Sequence, residues 1–176
     1  VKNKKFNYKF LDKIFIDKNI ILLHLGWVEM NNSESFKQFN NFNGSKVFRV
    51  PIVTRKSGSH LQLFLNYTSF LLSSMIIGIF KLRKRNYDCI ITFGTSPITV
   101  ALTSLFLSNI KKTKSLVWVL DLWPNILVDL KIVKNSFLLN ILTKITNFTY
   151  KKHDIVLAQS KSVLDQIIKY NKNIWF

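Results

Sequence analysis

Two short segments carry the side chains best placed for chemistry, Gly94-Thr95-Ser96-Pro97 and Asp121-Leu122-Trp123-Pro124. Asp121 supplies a carboxylate that accepts hydrogen bonds from a ligand hydroxyl. Asp also braces turns, and the turn before Pro124 is an equal candidate for its task. Trp123 offers either a flat apolar face to a ligand ring or a plug for its loop. Ser96 and the N–H groups of a following helix suit a phosphate or hydroxyl oxygen. Ser followed by Pro is also the composition of a plain helix start, with Ser96 as N-cap. Other chemistries lack their residues. The sequence has no G-x-S-x-G elbow, no H-E-x-x-H helix and no C-x-x-C pair. Its three His are far apart and stand at no metal-ligand spacing, so no metal is expected. The lone Cys89 fits a small buried hydrophobe in a reducing compartment and excludes a disulfide framework.

These segments need elements to hold them. Asp88–Phe93 is an apolar run closing at Gly94, which predicts a buried strand. A helix follows over Ile98–Leu107, then a basic turn, Lys111–Lys114, then a second apolar strand, Ser115–Leu120. Two parallel strands joined by a helix form a right-handed βαβ unit. Ligands of such sheets bind beyond the carboxyl ends of the strands, where both segments fall.

Upstream, residues 3–18 are at best a weak amphipathic helix. Asn19–Leu25 predicts a buried strand closing at Gly26, with His24 as a core or strand-end residue. Glu29–Gly44 is an Asn-rich loop with a turn signal at Asn43-Gly44. Lys46–Val53 predicts a strand, and Pro51 places part of it near an edge. Downstream, helices are expected over Ile126–Leu130, Asn135–Tyr150 and Lys161–Tyr170, the last capped by Ser160. A strand is expected at Ile155–Ala158. This alternation predicts an α/β fold, a parallel sheet with helices on both faces.

Leu61–Phe80 holds no charged residue and is flanked by basic ones. A membrane-spanning helix is one reading. Gln62, Asn66, Ser69 and Ser73 instead draw a polar stripe along one helix face. That favours a soluble core helix whose stripe lies near a ligand or solvent.

The formal charge is +17. Such an excess suits a polyanion, and an anionic membrane surface is the expected partner. Abundant Lys, Asn, Ile and Phe also fit the bias of an AT-rich genome. Nucleic acid is not expected, because zinc-finger and RRM patterns are missing and the aromatics sit in apolar runs. A signal peptide is not expected either, since Asp12, Lys13, Asp17 and Lys18 interrupt any apolar region near the start.

Several stretches resemble one family. Val47-Phe48-Arg49-Val50-Pro51, Leu65-Asn66-Tyr67-Thr68-Ser69-Phe70, Tyr87-Asp88, Gly94-Thr95-Ser96-Pro97, Trp118 to Pro124 and Gln159-Ser160 run in the same order as in family 4 glycosyltransferases. The similarity is to the N-terminal, acceptor-side domain of enzymes that build bacterial surface polysaccharide. It runs from about Ile20 onward. The resemblance implies a GT-B fold, two Rossmann-like domains flanking a cleft. It also implies a nucleotide-sugar donor held mainly by a C-terminal domain, no metal ion, and a polyprenyl-linked saccharide as acceptor. Such an enzyme would sit in the cytoplasm, peripheral to the inner face of the cell membrane. The cleft residues expected are Gly94, Thr95, Ser96, Asp121 and Trp123, with Asn66 and Tyr67 added mainly by resemblance. No catalytic residue is assigned.

Departures are plain too. The family's first strand and Gly-rich loop have no counterpart here, and the donor domain is absent from the 176 residues. Leu120 stands where relatives often carry Gln or His, and Asn125 where they usually carry Glu. The expectation is a domain fragment, inactive in sugar transfer by itself. The alternative is a small basic integral membrane protein with spans near 61–80 and 90–107.

Overall fold

The computed structural model describes residues 41–42, 45–46, 48, 50–55, 59–84, 86–169 and 174–175. The helix expected over 3–18, the strand Asn19–Leu25 and His24 lie outside the described residues. The chain divides into two compact units, with a boundary between Ile77 and Gly78.

In the first unit, β1 (Asn41–Phe42) and β2 (Ser45–Lys46) pair antiparallel, Asn41 opposite Lys46. They flank the Asn43-Gly44 turn signal. The strand expected through Val53 does not form, since residues 50–55 are irregular. The reason lies in the hydrogen bonds at Val53. Its N–H donates to Ser69 Oγ at 2.9 Å, and its carbonyl accepts from Asn66 Nδ2 at 2.7 Å. Side chains of a helix therefore satisfy the main-chain groups that a neighbouring strand would otherwise take.

That helix is α1 (His60–Leu82), 23 residues long. Ser59 opens it, its Oγ accepting from the N–H of Gln62 at 3.3 Å. The polar stripe is present but does not face solvent. Asn66 is 2% exposed, and Gln62, Ser69 and Ser73 are half-buried. The opposite face is the exposed one, and it is apolar. Of the two surroundings expected for the stripe, a ligand or solvent, solvent is not what Asn66 meets.

In the second unit, four strands form a parallel sheet in the order β3 (Cys89–Gly94), β4 (Lys114–Val119), β5 (Ile155–Ala158), β6 (Ile174–Trp175). β3 and β4 are joined by α2 (Thr99–Lys111), and β4 and β5 by α3 (Asn125–Asp129) and α4 (Ser136–Lys152). α5 (Lys161–Ile167) follows β5. The α/β class with a parallel sheet is therefore observed. The expected strand bounds hold to within one residue, and β6 adds a strand that the sequence pattern does not announce. α4 starts on Asn135, whose Oδ1 accepts from the N–H groups of Phe137 and Leu138. Ser160 caps α5 as expected, accepting from Val163 N–H.

Strand alternation separates two sheet faces. Thr92, Val117, Val119, Val156 and Ala158 share one face and are all buried. Leu116 and Leu157 are buried on the other. That second face opens at its carboxyl end. There Phe93 and Trp118, opposite each other in register, are 48% and 38% exposed, with ring centroids 5.7 Å apart. Neither strand is buried along its whole length, contrary to the expectation from the apolar runs.

Candidate functional site

β3 ends at Gly94 because nothing larger fits. A Cβ there would lie 2.8 Å from the Trp118 carbonyl oxygen. The Gly94 carbonyl then accepts from the N–H groups of both Leu120 and Asp121, each at 3.1 Å. This draws the exit of β4 over the exit of β3. The chain leaves β3 through a tight turn, Thr95 N–H donating to the Phe93 carbonyl at 2.9 Å.

The two loops are then tied side chain to main chain. Asp121 Oδ2 accepts from the Ser96 N–H at 2.6 Å. Trp123 Nε1 donates to Ser96 Oγ at 3.1 Å. A charge-assisted hydrogen bond of the Asp121 kind is worth about 1.5–3 kcal/mol. The Ser96–Pro97 and Trp123–Pro124 peptide bonds are both cis. Asp121 and Ser96 are half-buried, Thr95 is exposed and Trp123 is 5% exposed. Asp121 therefore braces a turn, across to the neighbouring loop rather than within its own. Trp123 occupies the position of a loop plug, its indole N–H spent on Ser96.

Ser96 does not cap α2. The helix begins at Thr99, Ile98 precedes it in helical conformation, and no side chain caps it. Its first turn is closed instead by Val100 N–H to the Pro97 carbonyl and Ala101 N–H to the Ile98 carbonyl. With both Ser96 groups committed to the β4 loop, the expected N-cap is corrected to a loop-to-loop tie. Thr99 Oγ1, at the head of α2, is buried without a hydrogen-bond partner among the described residues.

A third strand end joins this rim. Gln159, just after β5, donates from Nε2 to the Leu120 carbonyl at 2.8 Å. Leu120 thus works through its main chain, as donor to Gly94 and acceptor from Gln159. Asn125 Nδ2 donates to Gln166 Oε1 at 3.2 Å, linking α3 to α5. The rim is continuous across β3, β4 and β5. It presents hydroxyls, an amide and one carboxylate beside the exposed Phe93 and Trp118 rings. No group of His, Cys, Asp and Glu fit to hold a metal ion occurs among the described residues.

Neither a family model nor a curated protein matches this chain. Asn66 and Tyr67 belong to the other unit. Asn66 is spent on the Val53 carbonyl, and the Tyr67 ring carries the Arg55 guanidinium 5.4 Å from its centroid. The structure thus ties together Gly94, Thr95, Ser96, Asp121 and Trp123. Sequence reasoning missed Gln159 as a rim residue and the exposed pair Phe93 and Trp118. The pair had a signal, because each stands next to last in its strand, shortly before the loops singled out.

Proposed function

We propose that this chain is the acceptor-side, Rossmann-like half of a GT-B glycosyltransferase of the family 4 type. In this reading helices cover both sheet faces. The complete enzyme moves a sugar from a nucleotide-sugar to a lipid-linked saccharide at an anionic membrane surface. The observation that supports it is the tie from Asp121 to Ser96 across adjacent strand ends. It fixes one carboxylate oxygen and leaves Oδ1 without a hydrogen bond among the described residues. A carboxylate held in this way orients an acceptor hydroxyl by accepting its hydrogen. Thr95 and Gln159 add exposed hydrogen-bonding groups on either side, and Phe93 with Trp118 adds an apolar face for a ring. Trp123 acts through Ser96 as a positioning residue.

The test is ligand binding by the chain, read by saturation-transfer NMR. Short-chain polyprenyl diphosphate monosaccharides and free nucleotide-sugars serve as probes. The lipid-linked saccharides are expected to bind, and Asp121→Asn to weaken them about tenfold with the fold intact. Binding of nucleotide-sugars alone, or an unchanged affinity in Asp121→Asn, would overturn the assignment.

The integral membrane alternative keeps one observation. α1 is long and apolar enough to cross a bilayer. Its second expected span, 90–107, is divided between β3, a turn and α2, so a two-span arrangement does not fit.

A further inference from the structure

The amino ends of the sheet strands gather basic residues from segments far apart in sequence. Cys89 opens β3 opposite Lys114, which opens β4, and Asp154 stands just before β5. Lys111, at the end of α2, reaches the Arg83 carbonyl at 3.3 Å and stands 5.6 Å over the Tyr87 ring. Thr113 Oγ1 donates to the Tyr87 carbonyl at 2.8 Å. These contacts bring the ends of α1 and α2 together at the start of β3. Lys151 and Lys152 close α4 at the same level, beside Asp154. Arg83, Lys84, Lys112, Lys151 and Lys152 are all exposed there. The carboxylates at this pole, among the described residues, are Asp88 and Asp154, and Lys114 takes Asp154 at 2.8 Å. Basic residues at helix ends complement the helix dipoles, but each end offers only about half a negative charge. The basic excess is therefore larger than the fold needs.

We propose that this pole is a docking surface for an acidic protein segment with interspersed apolar side chains. Charge complementarity selects the sign of the partner. Two observations select its class. Phe80 and Ile110, next in sequence to Lys81 and Lys111, are 68% and 47% exposed. An acidic segment has apolar side chains to set against them, and a phosphate backbone has none. The exposed cations named above are lysines but for Arg83, and Lys lacks the planar fork that grips phosphate through paired bonds. The pole lies at the far end of the strands from the rim of Gly94 and Asp121. With that rim turned to a lipid-linked acceptor, as proposed above, the pole faces away from the bilayer, so the choice of a soluble partner over lipid rests on that reading.

Fluorescence anisotropy with the whole chain tests it, the probe being a labelled Glu-rich peptide with interspersed Leu. The same peptide with Gln in place of Glu, and labelled oligouridylate, serve as comparisons. The acidic peptide is expected to bind at least about tenfold more tightly than either. Lys84→Gln/Lys112→Gln/Lys151→Gln/Lys152→Gln should weaken it at least about tenfold. Lys131→Gln/Lys134→Gln/Lys144→Gln/Lys161→Gln removes as much charge from exposed positions elsewhere and should change it less than about twofold. Circular dichroism checks that the variants fold, and Lys151→Gln/Lys152→Gln gives a smaller loss in the same direction should the quadruple variant unfold. No binding of the acidic peptide, equal losses in the two quadruple variants, or tighter binding of oligouridylate would overturn the inference. So would binding to phosphatidylglycerol vesicles that is lost in the pole variant and kept in the other. The rim takes no part in these measurements, so saccharide binding at Asp121 stands or falls apart from them.

Discussion

The junction of β3 and β4 turns on a single missing side chain. At Gly94 the neighbour that a Cβ would strike is a main-chain oxygen, 2.8 Å away, held in a ladder that cannot swing aside. Gly94→Ala must therefore push β4 outward or bend its exit. That disturbs the carbonyl which receives Leu120 and Asp121. Overpacking of this kind costs about 1–3 kcal/mol. Urea unfolding of Gly94→Ala should show a midpoint lowered to match, with an unchanged slope. A midpoint equal to that of the parent would mean that the close approach is not required. Asp121 and Ser96 were each legible as residues with chemical capacity, but their pairing was not. They stand 25 positions apart, and local pattern offers Ser96 an N-cap role that the Asp121 and Trp123 contacts pre-empt.

At the level of elements, α2 and α4 are joined by a buried polar contact that no motif announced. His153 follows α4 and is 2% exposed. Its Nδ1 lies 2.8 Å from the Thr149 carbonyl, so it carries the proton and donates. Nε2 lies 3.1 Å from Ser104 Oγ, whose single hydrogen also has the Ala101 carbonyl within reach at 2.9 Å. Burial holds the His153 pKa down at about 4, against 6.5 unperturbed, with the Thr149 carbonyl and Asp154 only partly offsetting it. The unfolded chain thus binds a proton that the folded chain refuses between those values. Stability should fall as pH drops from about 6.5 toward 4, by on the order of 3 kcal/mol, and this contribution should level off below. His153→Gln should flatten the dependence in that window. A wild-type curve that is already flat there would show the imidazole to be accessible to protons. Asp154 acts in a lower range. Burial raises its carboxyl, but hydrogen bonds from Lys114 and Ser115 outweigh this and hold it below 3.8. Its stabilising contribution is present above that range and lost only as pH falls through it.

The same elements show why some of the fold could be read and some could not. β3, β4 and β5 were legible because each is an apolar run bounded by a glycine, a basic turn or a polar pair. Ser160 announced the helix start it caps. α1 was legible as a helix with one special face, yet a stripe of Gln, Asn and Ser does not say which medium it meets. That was decided by contacts to Val53, 13 and 16 residues away. Phe93 and Trp118 were hidden for a related reason. Parallel strands read as continuous apolar runs whether or not their last turn is covered.

For the molecule as a whole the governing number is the charge, +17 over 176 residues. Interspersed ion pairs would make stability fall as salt rises. A single-sign excess does the reverse, because screening relieves self-repulsion in the compact state more than in the expanded one. Lys114 and Asp154 do pair at 2.8 Å, but the Lys114 side chain is 74% exposed, and such a pair contributes little. The screening length shortens from about 10 Å at 0.1 M to about 3 Å at 1 M salt. Raising sodium chloride across that range should therefore raise the thermal midpoint of the chain. A midpoint that falls would mean that specific ion pairs outweigh the net field. In that case the basic excess would be locally compensated. The sign of this one slope thus bears on both the stability of the chain and the reach of its charge.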